Sequence, residues 1–224
     1  MNSQESGTQT PTGKIDRLDT YRHYKGRESQ VEILEERRIG GGGVGEVFEV
    51  KALIKGHERT FVLKRFFDRE ECSGQDMARR AFEHYAQAKQ AGLKVFPTYR
   101  LNEKNSSILM TAGHNEEWHC ISANNRGSDS LVNFGAEKLE EIPDFEQFAH
   151  AIFAESKKAA DAGIFLPADS FFFMVNKHDQ KMDFYVGDVD EVQKIHPQKT
   201  QSLFEMNITQ ADAALNFFIM ANVA

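Results

Sequence analysis

The stretch Ile39-Gly-Gly-Gly-Gly-Val-Gly-Glu-Val-Phe-Glu-Val50 decides how the rest of the chain is interpreted. Its glycines Gly40, Gly42 and Gly45 have the spacing G-x-G-x-x-G, which by itself also fits a dinucleotide-binding turn before a helix. Glycine suits such turns because it has no Cβ and lets the backbone approach a ligand closely. After Gly45, apolar and charged residues alternate with the period of a strand and not of a helix. The glycines are therefore predicted to form the tip of a β-hairpin.

The surroundings of the glycine run also bear on two other interpretations. A P-loop is disfavoured because no Lys-Ser or Lys-Thr pair closes the run. A flexible surface loop is the alternative if the glycines are considered alone. However, the alternating residues 60–66 predict a further strand, and Lys64 lies on it. The combination of hairpin and lysine argues against a flexible surface loop.

A glycine hairpin followed by a strand with a lysine resembles the small lobe of a protein kinase. In that family the strand lysine holds the α- and β-phosphates of ATP and pairs with a helix glutamate. The resemblance assigns these roles to Lys64 and Glu83, although a solvated helix residue is the alternative for Glu83. It assigns the remaining ATP contacts to Gly40, Gly41, Gly42, Gly43, Val44, Gly45, Val47 and Val62.

The resemblance implies an α+β, two-lobed kinase-like fold. Residues 29–115 would form a small lobe of five antiparallel strands and one helix, and residues 116–224 a reduced, mostly helical large lobe. The strands are predicted from Val31 onward and at 46–53, 59–66, 95–102 and 107–112, with a helix at 77–91 that Gly92 ends. Residues 1–28 are polar and predicted to be disordered, either as a solvated leader or as an export signal.

In the second lobe, Asp144 and Gln147 resemble a capping box that starts a helix, and Gly163 ends it. Strands are expected at 171–175 and 181–186, and a last helix from Thr209 onward.

Asp169 follows the predicted helix and precedes a strand, where a kinase keeps its catalytic aspartate. The resemblance implies that Asp169 accepts the proton of the substrate hydroxyl. The motif H-R-D-x-x-x-x-N is incomplete, because Pro167 and Ala168 precede the aspartate and Met174 stands at the asparagine position. Asn176 lies two residues further on and is a candidate metal ligand after a local shift. A turn aspartate is the alternative for Asp169.

Asp188 and Asp190 follow the next predicted strand, at the position of the kinase D-F-G motif. Mg²⁺ prefers carboxylate and phosphate oxygens. The resemblance therefore assigns Mg²⁺ to Asp188, with Asp190 or Asn176 in place of the missing asparagine. An exposed acidic turn is the alternative.

Composition limits the remaining function classes. The chain has 224 residues and a formal net charge of −7, which argues against a general nucleic-acid-binding surface. Cys72 and Cys120 are the two cysteines, so a disulfide framework is not expected. His114, His119 and Cys120 fit no zinc-ligand spacing and are predicted to be structural. No apolar run reaches the length of a membrane span. We expect a soluble monomer without membrane partners.

Few residues follow Asp188, so the implied kinase would be a minimal one. This reduction resembles small effector kinases that pathogenic bacteria inject into host cells through type III secretion, including the group that phosphorylates the chaperone HSP90. An ATP- and Mg²⁺-dependent protein kinase, with serine or threonine acceptors, is the first hypothesis, and host HSP90 is a candidate substrate. The alternatives are a pseudokinase that acts as a binding module and, third, a small-molecule phosphotransferase.

Overall fold

A computed structural model of the protein describes residues 13–122, 144–187 and 200–222. The chain divides into two compact units. Of the described residues, the first unit contains 13–78 and 98–112, and the second contains 79–97, 113–122, 144–187 and 200–222. Residues 79–97, which we expected in the first lobe, thus group with the second.

The first unit is a closed barrel of six antiparallel strands in the order β1-β2-β3-β4-β6-β5. The strands are β1 (Gly13–His23), β2 (Glu28–Gly42), β3 (Gly45–Ile54), β4 (His57–Phe66), β5 (Tyr99–Asn102) and β6 (Ser107–Thr111). Alternate residues of these strands point into the barrel and form its core, as the period of two predicts. The core residues are Tyr21, Val31, Ile33, Phe48, Val50, Ala52, Phe61, Leu63 and Leu109.

The barrel corrects the prediction of a five-stranded sheet preceded by a disordered tail at residues 1–28. Strand β1 lies within that polar segment, pairs with β2 along its length and closes the barrel through Arg22 and His23 against β5. Tyr21 is fully buried. Arg17 and Asp19 form an ion pair at 2.6 Å, and both side chains remain partly exposed to solvent. Main-chain pairing and one inward-facing tyrosine therefore order a strand that carries almost no aliphatic pattern.

The second unit contains a three-stranded sheet in the order β7-β8-β9 and two long helices. Its elements are β7 (Trp118–Ser122), α2 (Phe145–Asp161), β8 (Phe171–Asn176), β9 (Met182–Val186) and α3 (Thr200–Asn222), with a short 3₁₀ helix at Ala168–Ser170. Helix α1 (Gly74–Gln90) begins in the first unit and ends in the second. Aromatic side chains of α2, α3 and the sheet pack together edge to face or tilted, namely Phe148, Phe173, Phe184 and Phe218.

Gly92 and Gly163 end α1 and α2 as predicted. Both have positive φ, 77° and 72°, and each is followed by an amide that bonds back to the helix in the Schellman pattern. The predicted capping box of α2 is wrong. Asp144 adopts a left-handed conformation with φ 58° and its side chain makes no capping hydrogen bond. This backbone conformation differs from the extended one that directs a capping oxygen toward the first amides.

Helix α3 begins at Thr200, nine residues before the predicted start at Thr209. Its buried stripe includes Leu203 and Asn207, and the polarity of Asn207 interrupts the apolar pattern in the sequence. Among the described residues, no helix is both long and apolar enough to cross a membrane.

Candidate functional site

The glycine run forms the predicted hairpin between β2 and β3. Gly42 pairs with Gly45, and Gly43 and Val44 make a two-residue turn between them. Exposed ion pairs connect the two strands behind the tip, Arg38 with Glu46 at 3.0 Å and Arg37 with Glu49 at 2.8 Å. The strand period after Gly45 thus identified the hairpin correctly.

The glycines of this hairpin differ in how closely other atoms approach them. A Cβ on Gly45 would lie 2.3 Å from the carbonyl oxygen of Arg65, so the backbone of β4 excludes any side chain there. A Cβ on Gly40 or Gly42 would meet no atom within 4 Å. Packing of the described residues therefore explains Gly45, whereas it leaves open space above Gly40 and Gly42.

Strand register brings Lys64 next to Val47. The two residues are direct cross-strand partners of β3 and β4, so their side chains lie on the same sheet face, opposite to that of core residues Phe48 and Leu63. Val62 lies two residues along β4 on that face and pairs with Met110 of β6. Gly40 is opposite Val47 on β2. Four of the predicted nucleotide-binding positions thus share one face of the first unit.

The amine of Lys64 is shielded from solvent. The residue is only 7% exposed, and its Nζ lies 5.3 Å from the ring centroid of Phe66 on the same strand. A buried lysine amine loses hydration, so its charge is retained only where anionic or polar groups face it. This position suits a lysine that holds an anionic ligand.

Glu83 lies on the exposed side of α1, opposite a buried stripe that includes Ala81, Phe82 and Tyr85. It belongs to the second unit, whereas Lys64 belongs to the first. The predicted pairing of the two residues stays a prediction.

Asp169 lies in the 3₁₀ helix that precedes β8. The next residue, Ser170, accepts a hydrogen bond of 2.8 Å from the amide of Gly187 through its carbonyl oxygen. Its hydroxyl donates to the carbonyl of Pro167 at 2.7 Å. Phe171, the first residue of β8, pairs with Val186, the last residue of β9. Asp169 and Gly187 therefore lie at the same end of this strand pair.

The predicted metal ligands Asp188 and Asp190 lie outside the described residues. The residue before them, Gly187, is closely surrounded by aromatic rings. A Cβ there would lie 2.7 Å from Phe96 and 2.8 Å from Phe172, so only glycine fits. This contact and the bond to Ser170 hold the main chain at Gly187, immediately before Asp188.

Asn176 does not lie near Gly187. It lies at the opposite end of β8 from Phe171. Five residues of extended chain separate the two ends, a distance of about 17 Å. Its side-chain oxygen accepts hydrogen bonds from the amides of His178 at 2.9 Å and Asp179 at 3.3 Å. The asparagine stabilises the β8–β9 turn, and its assignment as a metal ligand stays a prediction.

Two residues of α3 support the Asp169 segment and were missed in the sequence. Asn207 is fully buried and accepts a hydrogen bond of 2.9 Å from the amide of Leu166. Its side-chain nitrogen donates to the carbonyls of Ile164 and Ser156. Gln210 accepts a bond of 3.0 Å from the amide of Ala168. A polar residue at a helix position flanked by apolar neighbours was the available signal.

His114, His119 and Cys120 lie around β7. The rings of the two histidines are 5.6 Å apart. Desolvation lowers the pKa of His119, and the charges of Lys177 and His114 lower it further. Burial raises the pKa of the Cys120 thiol to about 12, which makes it a weak nucleophile. Within residues 13–122, 144–187 and 200–222, no three His, Cys, Asp or Glu side chains are grouped to hold a metal.

No protein-family model matches the chain, and no curated protein does. Among solved structures, the chain is similar to a Rio2 kinase from Chaetomium thermophilum, described as a complex with ADP, Mg²⁺ and a phosphoaspartate. The TM-score is 0.52 at 14% sequence identity. The match covers 82% of this chain and 54% of the other, so the chain spans about half the length of that protein. The chain thus has a kinase-like fold.

Proposed function

We propose that the protein is an ATP- and Mg²⁺-dependent protein kinase that phosphorylates hydroxyl groups of proteins. The observation that carries this proposal is the cross-strand pair Val47 and Lys64, which lies on one sheet face beside the glycine turn. A lysine that is 7% exposed and faces the same side as a glycine-rich turn is suited to bind phosphates.

In this proposal the first unit would bind the nucleotide. The open space above Gly40 and Gly42 would let phosphate oxygens approach the main chain, where amide groups can donate hydrogen bonds. Val47 and Val62 would contribute an apolar surface for the base. Lys64 would hold the α- and β-phosphates, with Glu83 as its partner. Gly41, Gly43, Val44 and Gly45 complete the proposed phosphate-covering turn.

The second unit would supply the acidic groups. Asp169 would orient the attacking hydroxyl, and Asp188 and Asp190 would hold Mg²⁺, which neutralises charge on the phosphates. The hydrogen bond between Ser170 and Gly187 supports this proposal, because it holds Gly187, the residue before Asp188, at the same end of β8 and β9 as Asp169. The similarity to a kinase described with ADP and Mg²⁺ supports the choice of nucleotide and ion.

The test is transfer of labelled γ-phosphate from Mg-ATP to proteins of a eukaryotic cell lysate. Lys64→Met, Asp169→Asn and Asp188→Ala should each lower transfer at least about 100-fold, the typical loss of a group that stabilises transition-state charge. Lys51→Met is the matched control, since Lys51 lies exposed on β3 and pairs with Glu35 at 2.9 Å. Transfer that persists in Lys64→Met and Asp188→Ala would overturn the proposal.

A pseudokinase is the second candidate, and one observation favours it. Met174, at the position of the kinase asparagine, is only 5% exposed and carries no oxygen for a metal. The discriminating measurement is ATP affinity with and without Mg²⁺. Binding that is weak or independent of Mg²⁺, together with absent transfer, would indicate a binding module. Affinity that rises with Mg²⁺, together with transfer, would exclude it.

The narrower proposal is a serine/threonine kinase that bacteria export into host cells, where it acts as a monomer on a chaperone such as HSP90. This proposal rests on the resemblance to effector kinases alone. The strand at Gly13–His23 removes part of the polar segment that motivated export. Incubation with purified HSP90 and Mg-ATP, followed by mass spectrometry of the phosphorylated residues, tests the substrate and the acceptor type together.

A further inference from the structure

The glycine turn is held from one side by the chain that follows β4. The amide of Phe67 donates a hydrogen bond of 3.1 Å to the carbonyl oxygen of Val44. The guanidinium of Arg69 donates one from Nη2 to the carbonyl oxygen of Gly43. The two carbonyls at the tip of the turn therefore both point toward residues 67–69.

This arrangement determines where the amide of Val44 points. The peptide bonds of the described residues are trans. In a trans peptide unit the C=O and N–H point in opposite directions. Because Arg69 holds the carbonyl of Gly43, the N–H of Val44 is directed away from Arg69. A main-chain N–H at the tip of a glycine-rich turn is the donor that a phosphate oxygen requires.

The segment that carries Arg69 is itself ordered. Arg69 and Cys72 form a β-bridge, with hydrogen bonds of 2.9 and 3.3 Å between their main chains. Asp68 accepts a hydrogen bond of 2.8 Å from the amide of Gly74, at the start of α1. Because its backbone is bonded on both sides, Arg69 can hold the turn at a constant position.

Glycine at position 43 makes this contact feasible. A Cβ at Gly43 would lie 3.0 Å from Nη2 of Arg69, closer than an ordinary contact. The arginine side chain is otherwise exposed. Its charge therefore lies at the turn without being buried in the barrel.

We infer that Arg69 is a positioning residue for the nucleotide phosphates, acting as a latch that fixes the peptide unit between Gly43 and Val44. This inference rests on the proposed function. The latch keeps the Val44 amide directed toward the phosphates before the nucleotide binds, and the free energy of ordering the turn is then not subtracted from that of binding. Its loss should weaken ligands that carry phosphates and leave adenosine binding unchanged.

The experiment measures the Kd of ATP and of adenosine for wild type, Arg69→Ala, Arg69→Lys and Arg37→Ala. Arg69→Ala should weaken ATP about 10-fold, the effect of a charge-assisted hydrogen bond, and adenosine less than about 2-fold. Arg69→Lys should recover part of the loss, because it keeps the charge but not the planar donor geometry. Arg37→Ala is the matched control, since it removes an ion pair of the same hairpin behind the tip.

Hydrogen exchange of the Val44 amide without nucleotide gives an independent measurement. It should be faster in Arg69→Ala than in wild type and in Arg37→Ala. Equal losses of ATP and adenosine affinity, or unchanged ATP affinity and exchange, would overturn the latch while leaving the kinase proposal in place. A wild-type protein that binds adenosine and ATP equally weakly, with no effect of Mg²⁺, would overturn the proposed function and the latch with it.

Discussion

In the first unit the candidate site residues Val47, Val62 and Lys64 lie on neighbouring strands, whereas in the second unit Asp169 lies in a short 3₁₀ helix whose surroundings a later helix supports. Val47 and Lys64 come together because β3 and β4 pair in one register. The segment of Asp169 is held from α3, where Asn207 and Gln210 accept hydrogen bonds from the amides of Leu166 and Ala168. These partners are 41 and 42 positions apart in the sequence. The comparison indicates that mutations that disturb strand pairing should destabilise the first unit. Mutations of buried polar groups should destabilise the second.

The largest expected effect is on the second unit. Asn207→Ala removes three hydrogen bonds from buried partners, two carbonyls and one amide. The Ser156 carbonyl lies within α2 and has a helical donor, so the Leu166 amide and the Ile164 carbonyl are the groups that lose their partner. At about 1–3 kcal/mol for each, the free energy of unfolding should fall by about 3 kcal/mol. Urea denaturation measures this loss.

Asn216→Ala is the control for this change, because Asn216 lies exposed on the same helix, where its side-chain nitrogen donates a hydrogen bond of 3.0 Å to the exposed Asp212. Its stability should stay close to that of wild type. A similar loss in both variants would mean that helix propensity, and not the buried network, determines the result.

The next largest expected effect is a loss of stability in the first unit, at the pairing of β3 with β4. Gly45→Ala places a Cβ 2.3 Å from the main chain of β4, and overpacking of this kind typically costs about 1–3 kcal/mol. Gly42→Ala meets no atom within 4 Å and should change the free energy of unfolding by less than about 1 kcal/mol. Thermal unfolding of the two variants compares them. Equal destabilisation would contradict the assignment of Gly45 alone to packing.

A smaller effect sharpens the role of α3. Gln210→Ala removes one acceptor from the amide of Ala168, so we expect a loss of about 1 kcal/mol. The local result is faster hydrogen exchange of the Ala168 amide, measured against Asp212→Ala, an exposed neighbour on the helix. Unchanged exchange in Gln210→Ala would show that Asn207 suffices to hold the segment.

The smallest expected effect is a pH dependence of the free energy of unfolding, to which one histidine in each unit contributes. Desolvation lowers the pKa of His23 in the first unit and of His119 in the second below the usual 6.5. As the pH falls, these histidines therefore take up protons in the unfolded chain at a higher pH than in the folded protein. The free energy of unfolding should fall as the pH drops below about 6.5, and the loss is complete once the pH is below the lowered pKa of the folded state. Unfolding free energies at pH 7.5 and 5.5 for His23→Gln and His119→Gln measure each contribution. A variant with the full wild-type slope would exclude its histidine as a source.

Local patterns in the sequence were sufficient for elements whose residues interact with near neighbours. The glycine hairpin, the strand with Lys64 and the stops at Gly92 and Gly163 were predicted correctly, because strand period and positive φ depend on adjacent residues. The capping box at Asp144 was predicted from the same kind of pattern and is wrong, because the left-handed backbone there overrides side-chain preference.

The sequence by itself determined which strands carry the glycines and Lys64, since alternation of apolar residues is a local property of the chain. Only the tertiary structure decided that a polar segment at Gly13–His23 closes a six-stranded barrel, that Asn176 stabilises a turn, and that Asn207 supports the segment of Asp169. The physical reason is the same in each case. Main-chain pairing and buried hydrogen bonds depend on partners that are distant in the sequence, and no periodic pattern encodes them.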